Sequence, residues 1–221
     1  MQDEQEKPRI GKREERRIER RNAILAVATR CFLENGYAGT TMSSISAELG
    51  GSKGTLWSYF ASKEELFAAI LDQLMQEFRG DLTSALNPSA PLRSALETFC
   101  ARFMQKILHP QSVALHRLIV GESGRSPEVG RIFYDCGPGV IEPLLIAFFT
   151  RHIESGRLKP CDPIQMKDVL LSLSTGILQF LVVLGVEPVD ERKIEARATF
   201  ITDTFLALFE NRADAARTLS P

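Results

Sequence analysis

Strand signals are missing from this chain: no stretch of any length alternates apolar and polar residues between turn clusters, which excludes a sheet-based fold. Histidine is scarce, and His109, His116 and His152 form no metal-spaced pair with a carboxylate or a thiol. No GxSxG, Walker or dinucleotide glycine pattern is present either, so we expect no catalytic residue, no metal and no cofactor. Cys31, Cys100, Cys136 and Cys161 lie far apart and make no CxxC pair. With no secretory signal in the charged N-terminus, they read as reduced thiols of a cytoplasmic protein. An excess of one charge is lacking too: 27 Lys and Arg stand against 28 Asp and Glu, a net charge of −1. Any polyanion-binding role must therefore rest on where the charge lies.

What is present is 221 residues, 44% of them hydrophobic, enough for one large or two small packed cores. The positive charge gathers at the front. Lys7, Arg9, Lys12, Arg13, Arg16, Arg17, Arg20 and Arg21 crowd the start, only partly offset by Glu14, Glu15 and Glu19. Glu14 with Arg17, and Arg16 with Glu19, stand at helical pairing distance. The arm is either a solvated helix extension or one that also touches phosphates. Residues 169–186, VLLSLSTGILQFLVVLGV, run 18 residues without a charge, at the lower edge of a membrane span. Ser172, Ser174, Thr175 and Gln179 dilute that run and no basic cluster flanks it on one side. We read it as a helix that meets its own core on one face and a partner subunit on another, with no membrane involved.

Helical periodicity, with cap and breaker punctuation, accounts for nearly the whole chain. A first helix is predicted over residues 14–34, with Ile24, Ala28, Cys31 and Phe32 inward and Gly36 ending it. Ser62 with Glu65 forms a capping box that opens a helix with the stripe Phe67, Leu71, Leu74, Phe78 and Leu82, broken by Asn87-Pro88. Further helices are predicted over 92–108, 112–122 and from Pro127 to about 154 with an interruption at Gly137-Pro138-Gly139. Asp162-Pro163 starts the next, and a last one covers 191–211, with Ile194, Ala198, Ile201, Phe205 and Leu208 inward. The fold class is therefore all-α. Its predicted parts are a basic flexible arm over 1–13, a helix-turn-helix head over 14–82, a ligand-binding and dimerisation bundle over 83–213 and a disordered tail over 214–221.

The most informative stretch is residues 40–63, TTMSSISAELGGSKGTLWSYFASK. Met42, Ile45 and Leu49 place three apolar side chains on one helical face. Gly50 and Gly51 allow the left-handed backbone of a sharp turn, and Ser52 is placed to cap the next helix. In that short helix only Leu56 and Phe60 look inward. Lys53, Gly54, Thr55, Trp57, Ser58 and Tyr59 remain outside: cationic, small, hydroxylic and aromatic, which is the chemistry of a recognition helix in a DNA major groove.

Ala28, Phe32, Gly36-Tyr37, Thr40-Thr41, Ile45, Gly50, Ser52-Lys53-Gly54-Thr55-Leu56, Tyr59-Phe60, Ser62-Lys63-Glu64 and Leu66 together resemble the N-terminal signature of TetR-type transcriptional regulators. More loosely, HRLIVGESGRSPEVGRIFY and GRLKPCDP resemble the C-terminal domain of AcrR/AefR-like members. The resemblance implies an all-helical homodimer with a DNA-binding head and a ligand-binding body in each subunit. It implies that Ser43, Lys53, Gly54 and Trp57 meet bases, and that Thr41, Thr55, Ser58, Tyr59 and Lys63 hold phosphates. Two positions depart from the family pattern: Gly51 stands where an aliphatic residue is common, and Trp57 replaces the usual tyrosine, so base preference does not transfer.

The implied partners are a palindromic double-stranded operator, a second copy of the chain, and an apolar or amphipathic small-molecule effector. Candidate effector contacts are Phe103, Ile107, Ile119, Phe148 and Phe180, with His116, Glu122, His152 and Gln179 as polar groups that orient the ligand. The helices that begin at Pro163 and Glu191 are expected to pair with their symmetry mates as a four-helix bundle. Repression is the family default. The alternative is a helix-turn-helix adaptor that binds a protein partner, against which the basic arm and the Lys53 and Lys63 pair weigh.

Overall fold

The computed structural model describes residues 11–50, 53–87 and 89–211, apart from the side chains of Lys53 and Glu77. Most of the basic arm, the Gly51-Ser52 end of the turn and the expected tail lie outside the described residues. Ten helices follow one another in the described chain: α1 Lys12–Gly39, α2 Met42–Glu48, α3 Lys53–Tyr59, α4 Lys63–Ala85, α5 Leu92–Leu108, α6 Pro110–Ser123, α7 Pro127–Cys136, α8 Pro138–Glu154, α9 Pro163–Leu184 and α10 Glu191–Phe209. Among the described residues there is no strand, only one antiparallel bridge between Leu158 and Glu210. The all-α class stands.

Two compact units divide between Ile70 and Leu71, inside α4. The expected boundary after residue 82 thus lies later than this division. The reason is packing: Phe78, Leu82 and Ala85 of α4 belong to the core of the second unit, while Phe67 belongs to the aromatic centre of the first.

In the first unit, the inward stripe Ile24, Ala28, Cys31 and Phe32 of α1 is buried as its spacing requires. Phe32, Tyr37 and Phe67 form a triangle of rings, with Phe32 stacked on Tyr37 at 5.6 Å and Phe67 edge-on to both at 5.2 Å. Such pairs add about 0.5–1.5 kcal/mol each beyond their burial. α1 does break at Gly36, at φ 74°, but a further helical turn carries it to Gly39, five residues past the expected end. Thr40 closes this end, its hydroxyl donating to the carbonyls of Cys31 and Gly36 at 3.0 and 2.7 Å. Arg30 and Cys31 of α1 both reach Glu48 at the end of α2, at 2.7 and 3.3 Å, which braces the two helices.

The second unit packs α5 most extensively against α10, with α8 and α9 alongside. Ala95, Leu96, Phe99, Cys100 and Met104 of α5 meet Ile194, Ala198, Ile201, Phe205 and Leu206 of α10 in one core, whereas Leu208, expected inward, faces out because the inner face at the end of α10 passes to Leu206. The helix predicted from Pro127 is interrupted where expected. At Gly139 an added Cβ would lie 3.0 Å from the Tyr134 carbonyl, a tight contact of side chain against backbone that favours glycine there. α6 starts at Pro110, two residues before the predicted start, because the His109 imidazole accepts from the Gln111 N–H and proline fits the first helical position. α10 ends at Phe209, two residues short of prediction, where its last turn gives way to the Leu158–Glu210 bridge.

α9 is long and apolar enough to cross a membrane by length and composition alone. Met166, Lys167, Leu170, Ser174 and Val182 are buried against the rest of the unit. Ile177, Phe180 and Leu184 point outward, 60%, 58% and 58% exposed. Asp162 caps the start of α9 through a 2.9 Å bond from the Ile164 N–H. At the other end Arg117 of α6 donates to the carbonyls of Val183 and Val182, at 2.6 and 3.1 Å.

Candidate functional site

α2 and α3 carry the head's outward chemistry. Thr41 caps α2 in a reciprocal box: its hydroxyl accepts from the Ser44 N–H, and its own N–H donates to the Ser44 hydroxyl, both at 3.0 Å. Ser43 is exposed within the first turn that follows that cap. After α2 the chain turns at Gly50, whose φ of +63° lies in the left-handed region that a side chain disfavours. α3 is only seven residues long and cannot hold its shape alone. Leu56 and Phe60 anchor it, both almost wholly buried. Because they take the inner face, Gly54, Trp57 and Ser58 are left exposed, and Thr55 and Tyr59 half-buried at the edges. Trp57 keeps 40% of its surface in solvent, so the lone tryptophan is not a core residue. The backbone of Lys53 opens α3; its side chain lies outside the described residues.

Lys63 stands at the first position of α4, half-buried. Its ammonium donates to the Tyr37 carbonyl at 2.9 Å and lies 4.1 Å from the centre of the Tyr37 ring. Those two contacts hold the ammonium at a defined place. The predicted Ser62–Glu65 box is present in a shifted form. The Ser62 hydroxyl accepts from the Glu65 N–H at 3.1 Å, while the Glu65 carboxylate accepts from the Ala61 N–H rather than from that of Ser62. Glu64, at the positive start of the helix, has its carboxyl held below the usual range by its own backbone N–H and by Ser62.

Arg13, Arg16 and Arg17, part of the basic run that the sequence offers either to solvent or to phosphates, lie beside Tyr59. Together with Gly11 and Glu14 of the arm and Tyr59 of α3 they line one open groove. Arg17 pairs with Glu14 at 3.7 Å. The expected Arg16–Glu19 pair does not form, and Arg21 lies over the Phe60 ring at 5.4 Å. The signal in the sequence was the basic run itself, but only the fold shows that Tyr59 shares its groove.

The second unit holds a cavity in two adjoining lobes. The larger, about 260 Å³, is walled by Phe78, Phe103, Phe133, Pro138, Ile141 and Leu171, with Thr175 and Gln179 from α9. The smaller, about 70 Å³, adds Leu74, Lys106, Gln111, Ser112 and Leu115. Met75, Phe78, Ile107, His116, Phe133 and Gln179 border both lobes. Burial lowers the His116 pKa, so the imidazole is neutral at neutral pH, edge-on to Phe133 at 6.4 Å. Of the expected effector contacts, Phe103, Ile107, His116 and Gln179 come together here. Ile119, Glu122, Phe148, His152 and Phe180 do not line either lobe. Ile119 and Phe148 are core residues, and the Glu122 carbonyl accepts from Arg125 and Ser126 at the end of α6. His152 is buried against the Phe148 ring, and Phe180 faces out, because one step along α9 from the inward Gln179 turns the side chain by about 100°, off the cavity wall. The contribution of Leu74, Met75 and Phe78 from α4 was not foreseen; Leu74 and Phe78 read as ordinary core stripe, and Met75 lies outside that stripe.

No three His, Cys, Asp or Glu side chains converge on a metal site among the described residues. Burial pushes the Cys31 thiol up to about 11 and the Cys100 thiol up to about 12, so neither holds a thiolate at neutral pH.

A three-helix head with an outward-facing last helix, followed by an all-helical body around an apolar cavity, defines the class of helix-turn-helix regulatory proteins. Residues 24–70 match the tetR family of bacterial regulatory proteins, and residues 94–211 match the AefR-like transcriptional repressor C-terminal domain. The chain belongs to the TetR family of transcriptional regulators. Its similarity to the uncharacterized HTH-type transcriptional regulator YhgD of Bacillus subtilis is 29% identity over 165 residues, 73% of this chain and 83% of that one. The solved structure of the flavonoid-responsive regulator FrrA is 33% identical, with a TM-score of 0.76, covering 88% of this chain and 98% of FrrA. A TetR family regulator from Pseudomonas syringae pv. tomato is 25% identical, with a TM-score of 0.70 over 87% of this chain and 97% of that one.

Proposed function

We propose that the protein binds a palindromic operator as a homodimer in the cytoplasm, acts as a repressor, and is released by an apolar or amphipathic small molecule held in the cavity. The observation that carries the DNA part is the division of α3: Leu56 and Phe60 are buried, while Gly54, Trp57 and Ser58 face solvent. A recognition helix needs that division, with a fixed inner edge and a free outer one. Ser43, Lys53, Gly54 and Trp57 are assigned to bases. Thr41, Thr55, Ser58, Tyr59 and Lys63 are assigned to phosphates, joined by Arg13, Arg16 and Arg17 of the groove beside Tyr59.

One head offers few contacts, so selectivity comes from two heads spaced by about 34 Å on successive major grooves. The outward Ile177, Phe180 and Leu184 of α9, with Phe200 and Leu208 of α10, supply an apolar surface for a second copy. The effector part rests on the cavity and on the continuity of α4, which runs from Lys63 to Ala85 and gives Leu74, Met75 and Phe78 to the cavity wall. A ligand that prefers one arrangement of those residues shifts the population of head positions by that preference and no more. The name of the relative FrrA supports an aromatic effector.

The test is selection of genomic fragments by the purified protein, followed by footprinting. We expect protection of two half-sites about one helical turn apart, a change in Trp57 emission on the specific duplex alone, and affinity that falls steeply with salt. Uniform binding to all fragments, or no binding, overturns the proposal.

A further inference from the structure

The cavity reading leaves the chemistry of the effector open, and the lining narrows it. Among the described residues that border the two lobes there is no Asp or Glu, and Lys106 is the one permanently charged side chain. Lys106 stands in the last turn of α5, with its ammonium 5.9 Å from the centre of the Phe78 ring. No described carboxylate pairs with it. A cation beside an apolar chamber, without a counter-ion among the described residues, is an arrangement that an anionic ligand completes. The remaining polar groups of the small lobe, Gln111 and Ser112, lie at the same end. His116 and Gln179 border both lobes without a hydrogen-bond partner among the described residues. The far lobe is different in kind: Phe103, Pro138, Ile141 and Leu171 give it an almost wholly apolar wall.

Resting on the effector reading given above, we propose that the effector is an aromatic monocarboxylate. Its rings fill the larger lobe between Phe78, Phe103 and Phe133, and its carboxylate meets Lys106 in the smaller one. Size supports two fused rings rather than one or four: a buried cavity of about 150 Å³ accepts benzene, and the larger lobe offers about 260 Å³. The neutral state of His116, fixed by burial, keeps it from adding a second positive charge and leaves it free to donate to or accept from the ligand's polar end. Selectivity then comes from one charge. A neutral analogue of equal shape leaves the ammonium uncompensated, and a cationic analogue meets it head-on.

The test uses the full-length protein and three probes of one shape, 2-naphthoate, 2-naphthylmethanol and 2-naphthylmethylamine, titrated calorimetrically at neutral pH. We expect the carboxylate to bind about tenfold tighter than the alcohol, and the amine to bind weakest. Lys106→Met should abolish the preference by weakening the carboxylate selectively, since most of the apolar stem of the side chain is retained. Lys106→Arg should restore it, which separates loss of charge from loss of fold. Binding without charge preference, preference for the amine, or a preference that survives Lys106→Met overturns the assignment and leaves the cavity as an effector site. Failure of all three probes to bind overturns the cavity reading along with it.

Discussion

Protonation of His152 should cost this protein much of its stability below neutral pH. The residue lies in α8 with only 2% of its surface exposed, its ring 4.4 Å from that of Phe148, and neither ring nitrogen has a hydrogen-bond partner among the described residues. Burial, helped by the positive charges of Arg157 and Arg151, lowers its pKa from 6.5 to about 4. The folded-state value is depressed, so the unfolded chain takes up the proton first as pH falls. The contribution is complete above pH 6.5, is lost progressively between that value and about 4, and is constant below. A displacement of that size corresponds to about 3 kcal/mol, a sizeable part of a typical total of about 5–15 kcal/mol. His152→Leu keeps the volume close and removes both unsatisfied nitrogens, so at pH 7 it should be neutral or stabilising. Urea unfolding of the two proteins at pH 7, 6, 5 and 4, followed by circular dichroism, gives the difference directly. We expect the advantage of the His152→Leu protein to grow by about 2–3 kcal/mol on acidification. A difference that stays constant within about 0.5 kcal/mol across that range would refute the reasoning.

Two further expectations test the assembly and the head. Ile177→Asp with Phe180→Asp puts two charges on the outward face of α9 and should convert a dimer to monomers in sedimentation velocity, with the helical spectrum unchanged; a persistent dimer would place the interface elsewhere. Lys63→Met removes one phosphate partner from each head and should lower the logarithmic salt slope of specific binding by about one per head. An unchanged slope would leave Lys63 as a brace for Tyr37 alone.

Much of the fold could be read from the chain because its signals are local. Pro127, Asp162-Pro163 and Ser62 mark helix starts through their own backbone chemistry, and the interruption at Gly137-Pro138-Gly139 is written in three residues. The ends that moved by a few residues depend on neighbours: α1 runs past Gly36 because Thr40 reaches back to bind two carbonyls. On the head, the inward pair Leu56 and Phe60 followed from spacing alone. The cavity did not. Periodicity tells that Phe148, Ile119 and Phe103 all face inward, but not which of them borders empty space, since that depends on how several helices meet. Phe180 and Gln179 are adjacent, and only the rotation of α9 about its axis separates wall from outer surface. Nothing in the sequence singles out Lys106; that no described carboxylate pairs with it is visible only in three dimensions.

The clasp formed by Arg117 has a practical bearing on transplanting specificity between relatives. α9 stops at the left-handed Gly185, and a guanidinium from α6 reinforces that end, 65 and 66 positions upstream of the carbonyls it holds. A chimera whose α6 lacks this arginine would take the side-chain donor from Val183 and leave Val182 only the Gly185 N–H, and one that swaps α9 alone would offer the donor a foreign terminus. The two segments are a single inheritable module, to be exchanged jointly or not at all.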